Sequence, residues 1–209
     1  MKDKKLINWL CLTGIISIIF YLLHDIVGSM NYPGYNFMSQ AVSDLTATDA
    51  PSFVIASGFI TVYKIFNCLC SALICILIKN ENKKSLKIGV YLFSIMNFIS
   101  AIGYALFPLS SAGYDESMQS FIHVYVLTAL VVILSIISLV LISIGSFKEK
   151  NKALGILAIL SLILMFIGAV GSANVPKEIF GVFERFSTYS AVIFTGILGI
   201  YGFKTDYKK

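Results

Sequence analysis

With 209 residues, 57% of them hydrophobic and only 13% charged, and a mean hydropathy of +0.86, the chain is too apolar for a soluble domain, in which about a quarter of residues are charged. Its net charge of +5 comes from lysines scattered over short segments between apolar blocks, a pattern that fits anionic lipid headgroups and excludes a nucleic-acid surface. The blocks are residues 6–28, 53–78, 86–107, 121–144, 153–173 and 182–203, each long enough to cross a hydrocarbon core that needs about 20 apolar residues. They use most of the chain, so an all-α, polytopic membrane protein with six transmembrane helices is expected, as a single integral membrane domain over residues 1–209.

The first block follows the basic segment Met1–Lys5, but His24-Asp25-Ile26-Val27-Gly28 is no small-x-small cleavage site. It reads as a retained helix rather than a signal peptide. The loop after it, residues 29–52, is the longest connection. Pro33-Gly34 marks a turn. In 36–45, Phe37, Met38, Ala41, Val42 and Leu45 fall on one helical face, and Ser39, Gln40, Ser43 and Asp44 on the other. That pattern predicts a short amphipathic helix lying across the outer face. A loop of this length in a bundle of short connections points to a functional element.

Asn67 and Asn97 fall near mid-span on the second and third helices, where an interhelical amide bond is expected. Gly168 with Ser172, Ala169 with Ala173, and the run Gly196, Gly199 and Gly202 predict close backbone packing of the last two helices. The four cysteines, Cys11, Cys68, Cys70 and Cys75, all lie inside helices and read as packing residues.

Sidedness follows from the lysines. Lys2, Lys4, Lys5, Lys79, Lys83, Lys84, Lys87, Lys148, Lys150, Lys152, Lys204, Lys208 and Lys209 fall on one side of a six-span threading, 13 of the 16 basic residues. With Asp3, Glu81, Glu149 and Asp206 that side has a net charge of +9, against −4 for the other. Both termini are therefore expected in the cytoplasm, N-in and C-in. Richness in lysine and isoleucine suits an AT-rich bacterial genome, which makes the plasma membrane the expected location.

Ionisable side chains inside a span cost about 2.5–3.5 kcal/mol each at its centre on insertion scales and so require a reason. His24 and Asp25 near the end of the first helix, Lys64 in the second, His123 at the start of the fourth and Glu184 with Arg185 at the start of the sixth can meet beneath the outer surface, with Asp44 descending from the loop. These seven residues form the expected binding pocket. Arg185 cannot face its neighbour Glu184, since successive helical residues point about 100° apart, so Asp25 or Asp44 is its expected partner.

His24, His123 and Asp44 are the candidates for acid–base catalysis or for a divalent metal, although no His-x-x-x-His or His-Glu-x-x-His pair exists. Nothing in the sequence calls for a cofactor. The leading expectation is a non-catalytic binding or regulatory protein whose outer-leaflet-facing polar pocket binds a lipid headgroup or a membrane partner, with membrane lipids, a membrane protein or a second copy of the chain as its partners. The alternatives are a lipid-headgroup hydrolase or transferase using His24 and His123, with or without a metal, and a small-solute transporter.

Three strings occur in order: Tyr32-Pro33-Gly34-Tyr35 with Ser39-Gln40-Ala41-Val42-Ser43-Asp44-Leu45; Phe107-Pro108-Leu109-Ser110-Ser111-Ala112-Gly113-Tyr114 leading to Phe121-Ile122-His123; and Gly181-Val182-Phe183-Glu184-Arg185. Together they resemble a family of small prokaryotic integral membrane proteins catalogued as domain of unknown function 998. The resemblance implies six helices and an outer-face polar cluster, and no established reaction. Where the family pattern has an acidic residue after the Phe-Pro pair, this chain has Ser110 and Ser111, and Asp115 follows, which weakens a metal site.

In intact cells, and in a variant lacking the native cysteines, a cysteine at Thr48 is expected to react with a membrane-impermeant thiol reagent while one at Asn82 does not. The opposite labelling pattern would invert the topology.

Overall fold

The computed structural model describes residues 5–205; Lys2, Asp3, Lys4, Asp206, Lys208 and Lys209, which contribute to the charge asymmetry, lie outside them. Six helices are long and apolar enough to cross a membrane: α1 Leu6–Met30, α2 Phe53–Leu77, α3 Lys84–Leu106, α4 Met118–Lys148, α5 Lys152–Asn174 and α6 Lys177–Lys204. No strand occurs among the described residues. At ~1.5 Å per residue, even the 23-residue helices exceed a ~30 Å hydrocarbon core. Large apolar side chains stay exposed along them, among them Ile65, Ile102, Ile133 and Val170, each more than half exposed. Water would not tolerate so much apolar surface, and lipid does. The chain is a multi-pass membrane protein.

The helices form three hairpins, α1–α2, α3–α4 and α5–α6; α4 also packs on α5, and α6 closes the bundle against α1 and touches α2. Close approach is possible where a glycine replaces a side chain. A Cβ on Gly145 of α4 would overlap the backbone of Leu86 on α3, and one on Gly168 of α5 would overlap the backbone of Ser187 on α6. The close helix contacts expected at these small residues are present: Gly168 meets α6, and Gly196, Gly199 and Gly202 approach α1. Near its start α1 tightens through one turn of shorter bonds, with Leu12 N donating to Trp9 O (3.0 Å) and Gly14 N to Cys11 O (3.2 Å). There Asn8 reaches across to donate to the carbonyls of Gly202 and Thr205, both at 2.8 Å.

The interior is divided by depth. The half nearer the lysine-rich connections holds the apolar core, with Ile74, Leu86, Phe93, Met96, Leu139, Ile142 and Phe194 all buried. Phe93 and Phe194 meet edge to face at 5.2 Å. The other half is roofed by residues 31–52 and 107–117 and buries His24, Asp25, Asp44, His123 and Arg185 instead. These halves are called the lysine end and the lid end below.

The amphipathic helix expected over 36–45 is not formed. Residues 37–39 make a turn, and a short 3₁₀ helix spans Val42–Thr46. The reason is competition for backbone groups. Side chains bond the backbone locally, Gln40 Oε1 accepting from Asn36 N (2.7 Å) and Asn36 Oδ1 from Met38 N (2.9 Å), while α6 takes several of the remaining groups. Local bonding of this kind displaces helical pairing. Nor are the faces those of a surface helix: Phe37 and Met38 are exposed, whereas Val42, Asp44 and Leu45 are all buried. The segment is a lid plugged into the bundle.

Two more differences are local. The start of α4 is π-helical over Ile122–Leu127, a widened turn that carries His123. Asn97 does not pair with Asn67; its Nδ2 donates to Ser71 Oγ on α2 (2.9 Å) and to Thr195 Oγ1 on α6 (3.2 Å).

Candidate functional site

Arg185 sits in the third turn of α6, 3% exposed, opposite Asp25 of α1, 1% exposed. The pair is bidentate, with Nε donating to Asp25 Oδ2 at 2.9 Å and Nη2 to Oδ1 at 2.8 Å. The Tyr189 hydroxyl, one helical turn after Arg185, also donates to Asp25 Oδ2. Nη2 further donates to Tyr35 Oη at 2.7 Å, and Nη1 to the carbonyls of Phe37, Gln40 and Gly181, each at 3.0 Å. The Phe37 ring lies over the guanidinium at 3.8 Å from its centroid. All five N–H groups of the fork are occupied by protein atoms.

That geometry explains the neighbouring residues. A Cβ on Gly181 would overlap the carbonyls of Gln40 and Phe37, so only glycine lets the lid turn settle on α6. Its N–H donates to Met38 O at 2.8 Å. Glu184, on another face of the helix, accepts from Val42 N (3.3 Å) and from Thr188 Oγ1 (3.0 Å). Tyr35 Oη passes the network on, donating to Ala41 O at 2.8 Å. Burial holds the Tyr35 phenol above its ordinary pKa, against the pull of Arg185.

Asp44 is the second knot. It is buried, and its two oxygens accept from Ala41 N (3.1 Å) and from Gly113 N (2.9 Å) in the following lid-end loop. Gly113 has φ +84°, a left-handed conformation that favours glycine. Burial raises the Asp44 carboxyl pKa, and the two N–H groups and the more distant Arg185 only partly counter it. Two further bonds join the loops, Thr48 N to Leu109 O (2.9 Å) and Thr48 Oγ1 to Ser110 O (2.8 Å). Asp115 accepts from Ser117 Oγ (2.7 Å) and Ser117 N (3.1 Å) and so orders the start of α4.

The seven expected pocket residues do not form one cluster. Asp25 and Arg185 are the clamp, and Glu184 and Asp44 bind lid backbone. His24 is buried between α1 and α2, its Nδ1 3.2 Å from Ala56 O. His123 Nδ1 lies 2.7 Å from Phe107 O, at the end of α3, and its ring packs on Tyr104 at 4.6 Å between centroids. Lys64 lies deeper, 11 residues into α2, and is half-buried. Of the two expected partners of Arg185, Asp25 is the ion-pair partner.

The candidate metal donors His24, His123 and Asp44 are each engaged with a different stretch of backbone. No group of three His, Cys, Asp or Glu side chains among the described residues is arranged to hold a metal ion.

Tyr35, Phe37 and Tyr189 belong to the clamp and were not among the expected site residues. Tyr189 carried a legible signal, since it lies four residues after Arg185 and shares its helix face. Tyr35 and Phe37 carried none, because their contacts depend on how the loop folds back. Beside the clamp, between α5 and α6, is a groove of about 330 Å³ with an apolar wall of Phe37, Leu164, Val182, Phe186, Tyr189 and Ile193, and Arg185 at its edge.

The fold and site thus define a six-helix membrane protein with an interlocked lid. All three sequence strings singled out above lie in that lock: the first forms the lid, the second holds it through Gly113 and Leu109, and the third anchors it on α6. The family described as Protein of unknown function (DUF998) matches residues 15–201. The chain belongs to this family. No curated protein and no solved structure matches it.

Breaking one side of a buried pair typically costs about 3–5 kcal/mol. Arg185→Ala and Asp25→Ala should each cost about that in detergent, measured by thermal or chaotrope unfolding. The double variant should lose clearly less than the sum. Arg185→Lys should lose nearly as much as Arg185→Ala, because an ammonium cannot serve a bidentate carboxylate, a phenol and three carbonyls together. Additive losses would mean that the pair is not coupled.

Proposed function

We propose that this protein is a non-catalytic lipid-binding protein of the bacterial plasma membrane, with its lid facing outward and its lysine end in the cytoplasm. The groove between α5 and α6 takes an acyl chain of a membrane lipid, and the lid rides on the chain through Phe37. The observation that carries this reading is Phe37 itself, which forms part of the groove wall and also lies over the clamp guanidinium. Occupancy of the groove and position of the lid are therefore linked, as a regulatory protein requires.

The groove's volume of about 330 Å³ falls at the lower end of small-molecule pockets, about 300–1,000 Å³. Arg185 has no donor left for a phosphate, so recognition here is of hydrocarbon. The headgroup would lie near the α5–α6 turn, where Lys177 is exposed. The carboxylate and histidine placements favour binding over hydrolysis, since His24 and His123 engage separate carbonyls in separate places.

Native mass spectrometry of the detergent-purified protein tests this. The wild type should retain lipid, and Val182→Trp and Ile193→Trp, which fill the groove, should retain about tenfold less. Displacing even two methylenes, at about 0.8 kcal/mol each, has that effect. Equal retention by the filled variants, at unchanged thermal stability, would refute the reading, and turnover of labelled lipid would replace it with an enzymatic one.

A further inference from the structure

The lysine end presents a surface of its own. Residues 79–87 and 148–152 carry seven lysines and two glutamates, and the fold brings the two segments together. The backbone of Leu86, near the start of α3, lies so close to Gly145, near the end of α4, that a Cβ on the glycine would overlap it. One turn beyond, Lys83 Nζ pairs with Glu149 Oε1 at 3.6 Å and ties the two connections together. Glu81 Oε1 accepts from Lys83 N at 3.1 Å. Both glutamates are thus engaged by the same residue. Lys84, Lys148, Lys150 and Lys152 are exposed and make no ion pair among the described residues.

Two features separate this patch from lysines that only mark one side of a membrane. Lys150 has φ +60°, a left-handed conformation that strains any residue with a Cβ and is usual for glycine after a helix end. A charged side chain is kept where its absence would relieve strain, and strain of that kind clusters at functional positions. The second feature is what lies beneath the charges. Lys84 stands one turn before Ile88, Lys148 one turn after Ile144 and Lys152 one turn before Ile156, and all three isoleucines are exposed, each on the helix side that its lysine shares. Those sides belong to neighbouring helices, since α4 packs on both α3 and α5. Positive charge at the helix ends with lipid-facing apolar surface directly below is complementary to an anionic phospholipid, headgroup and chains together.

We infer that the joined connections form a site for a phospholipid with two phosphates on one headgroup, of the cardiolipin type. Lys84 belongs to one segment and Lys148, Lys150 and Lys152 to the other, so the charges come in two groups joined through the Lys83–Glu149 pair. A single phosphate engages one group, and a headgroup with two phosphates engages both. Each lysine acts as a point charge, and the chains lie along the exposed sides of α3, α4 and α5. The site is at the opposite end of the bundle from the clamp and the acyl groove, so either can fail alone.

Cardiolipin is the probe, titrated as mixed micelles into full-length protein in detergent against phosphatidylglycerol at equal phosphate, with bound lipid counted by native mass spectrometry. At ten times Kd of cardiolipin the wild type should melt about 3–6 °C higher, and phosphatidylglycerol should bind about tenfold more weakly. Lys84→Gln combined with Lys148→Gln should lose about tenfold in cardiolipin affinity at an unchanged lipid-free melting temperature, and Lys84→Arg with Lys148→Arg should keep it. Lys150→Gly is the sharper variant. Relieved of the left-handed strain, it should melt higher than the wild type without lipid and yet bind cardiolipin more weakly. Val182→Trp, which fills the lid-end groove, should bind cardiolipin as the wild type does. Equal binding of the two lipids at equal phosphate, or unchanged cardiolipin binding in the double glutamine variant, would overturn the proposal. Stabilisation by polyglutamate and not by cardiolipin would overturn it in favour of an acidic protein partner.

Discussion

A guanidinium buried in a lipid-embedded bundle must find a partner for every N–H, and the lid end is organised around that requirement. Asp25 supplies the counter-charge from α1, but one carboxylate cannot serve five donors. The remaining acceptors are Tyr35 and backbone carbonyls of the lid and of α6. The lid is thus folded against the bundle to complete a hydration shell that water cannot provide. An apolar pair in place of Arg185 and Asp25 could well be as stabilising, but it would not draw specific carbonyls onto α6. The clamp sets where the loop lies more than how stable the helices are.

The same logic accounts for the division of the interior. The lysine end is filled by close-packed aliphatic and aromatic side chains around Phe93 and Phe194, and it needs no directional bonds to hold its helices. The lid end has few such contacts, and polar bonds fix its geometry. The proposed lipid groove accordingly opens beside the clamp, between α5 and α6.

The six spans were legible because hydrophobic length in a bilayer is a nearly sufficient signal. The Arg185–Asp25 pairing was half legible: helix geometry ruled out Glu184 and left two carboxylates, and only the fold chose between them. Asp44 was the misleading candidate, since it looked like a charge seeking a charge and is instead a carboxylate that accepts two backbone N–H groups. The lid was misread for a similar reason. Its apolar spacing fits a helix over 36–45, but Asn36, Gln40, Glu184 and Arg185 compete for the backbone, and three of those bonds come from α6, more than 140 residues away. Periodicity cannot report a tertiary competitor. Asn97 likewise carried a correct signal for interhelical bonding without naming its partners, Ser71 and Thr195.

The central claim is that Arg185 holds the lid more than it holds the bundle. Hydrogen exchange of the backbone amides tests it most directly. In the wild type the amides of Val42, Gly113 and Gly181, all bonded across the lock, should be strongly protected. In Arg185→Gln their protection should fall about a hundredfold or more, as expected for a loss of ~3 kcal/mol, and clearly more than that of the mid-helix amides of α3 and α4. Unchanged protection of the lid amides, or equal loss throughout the bundle, would contradict it.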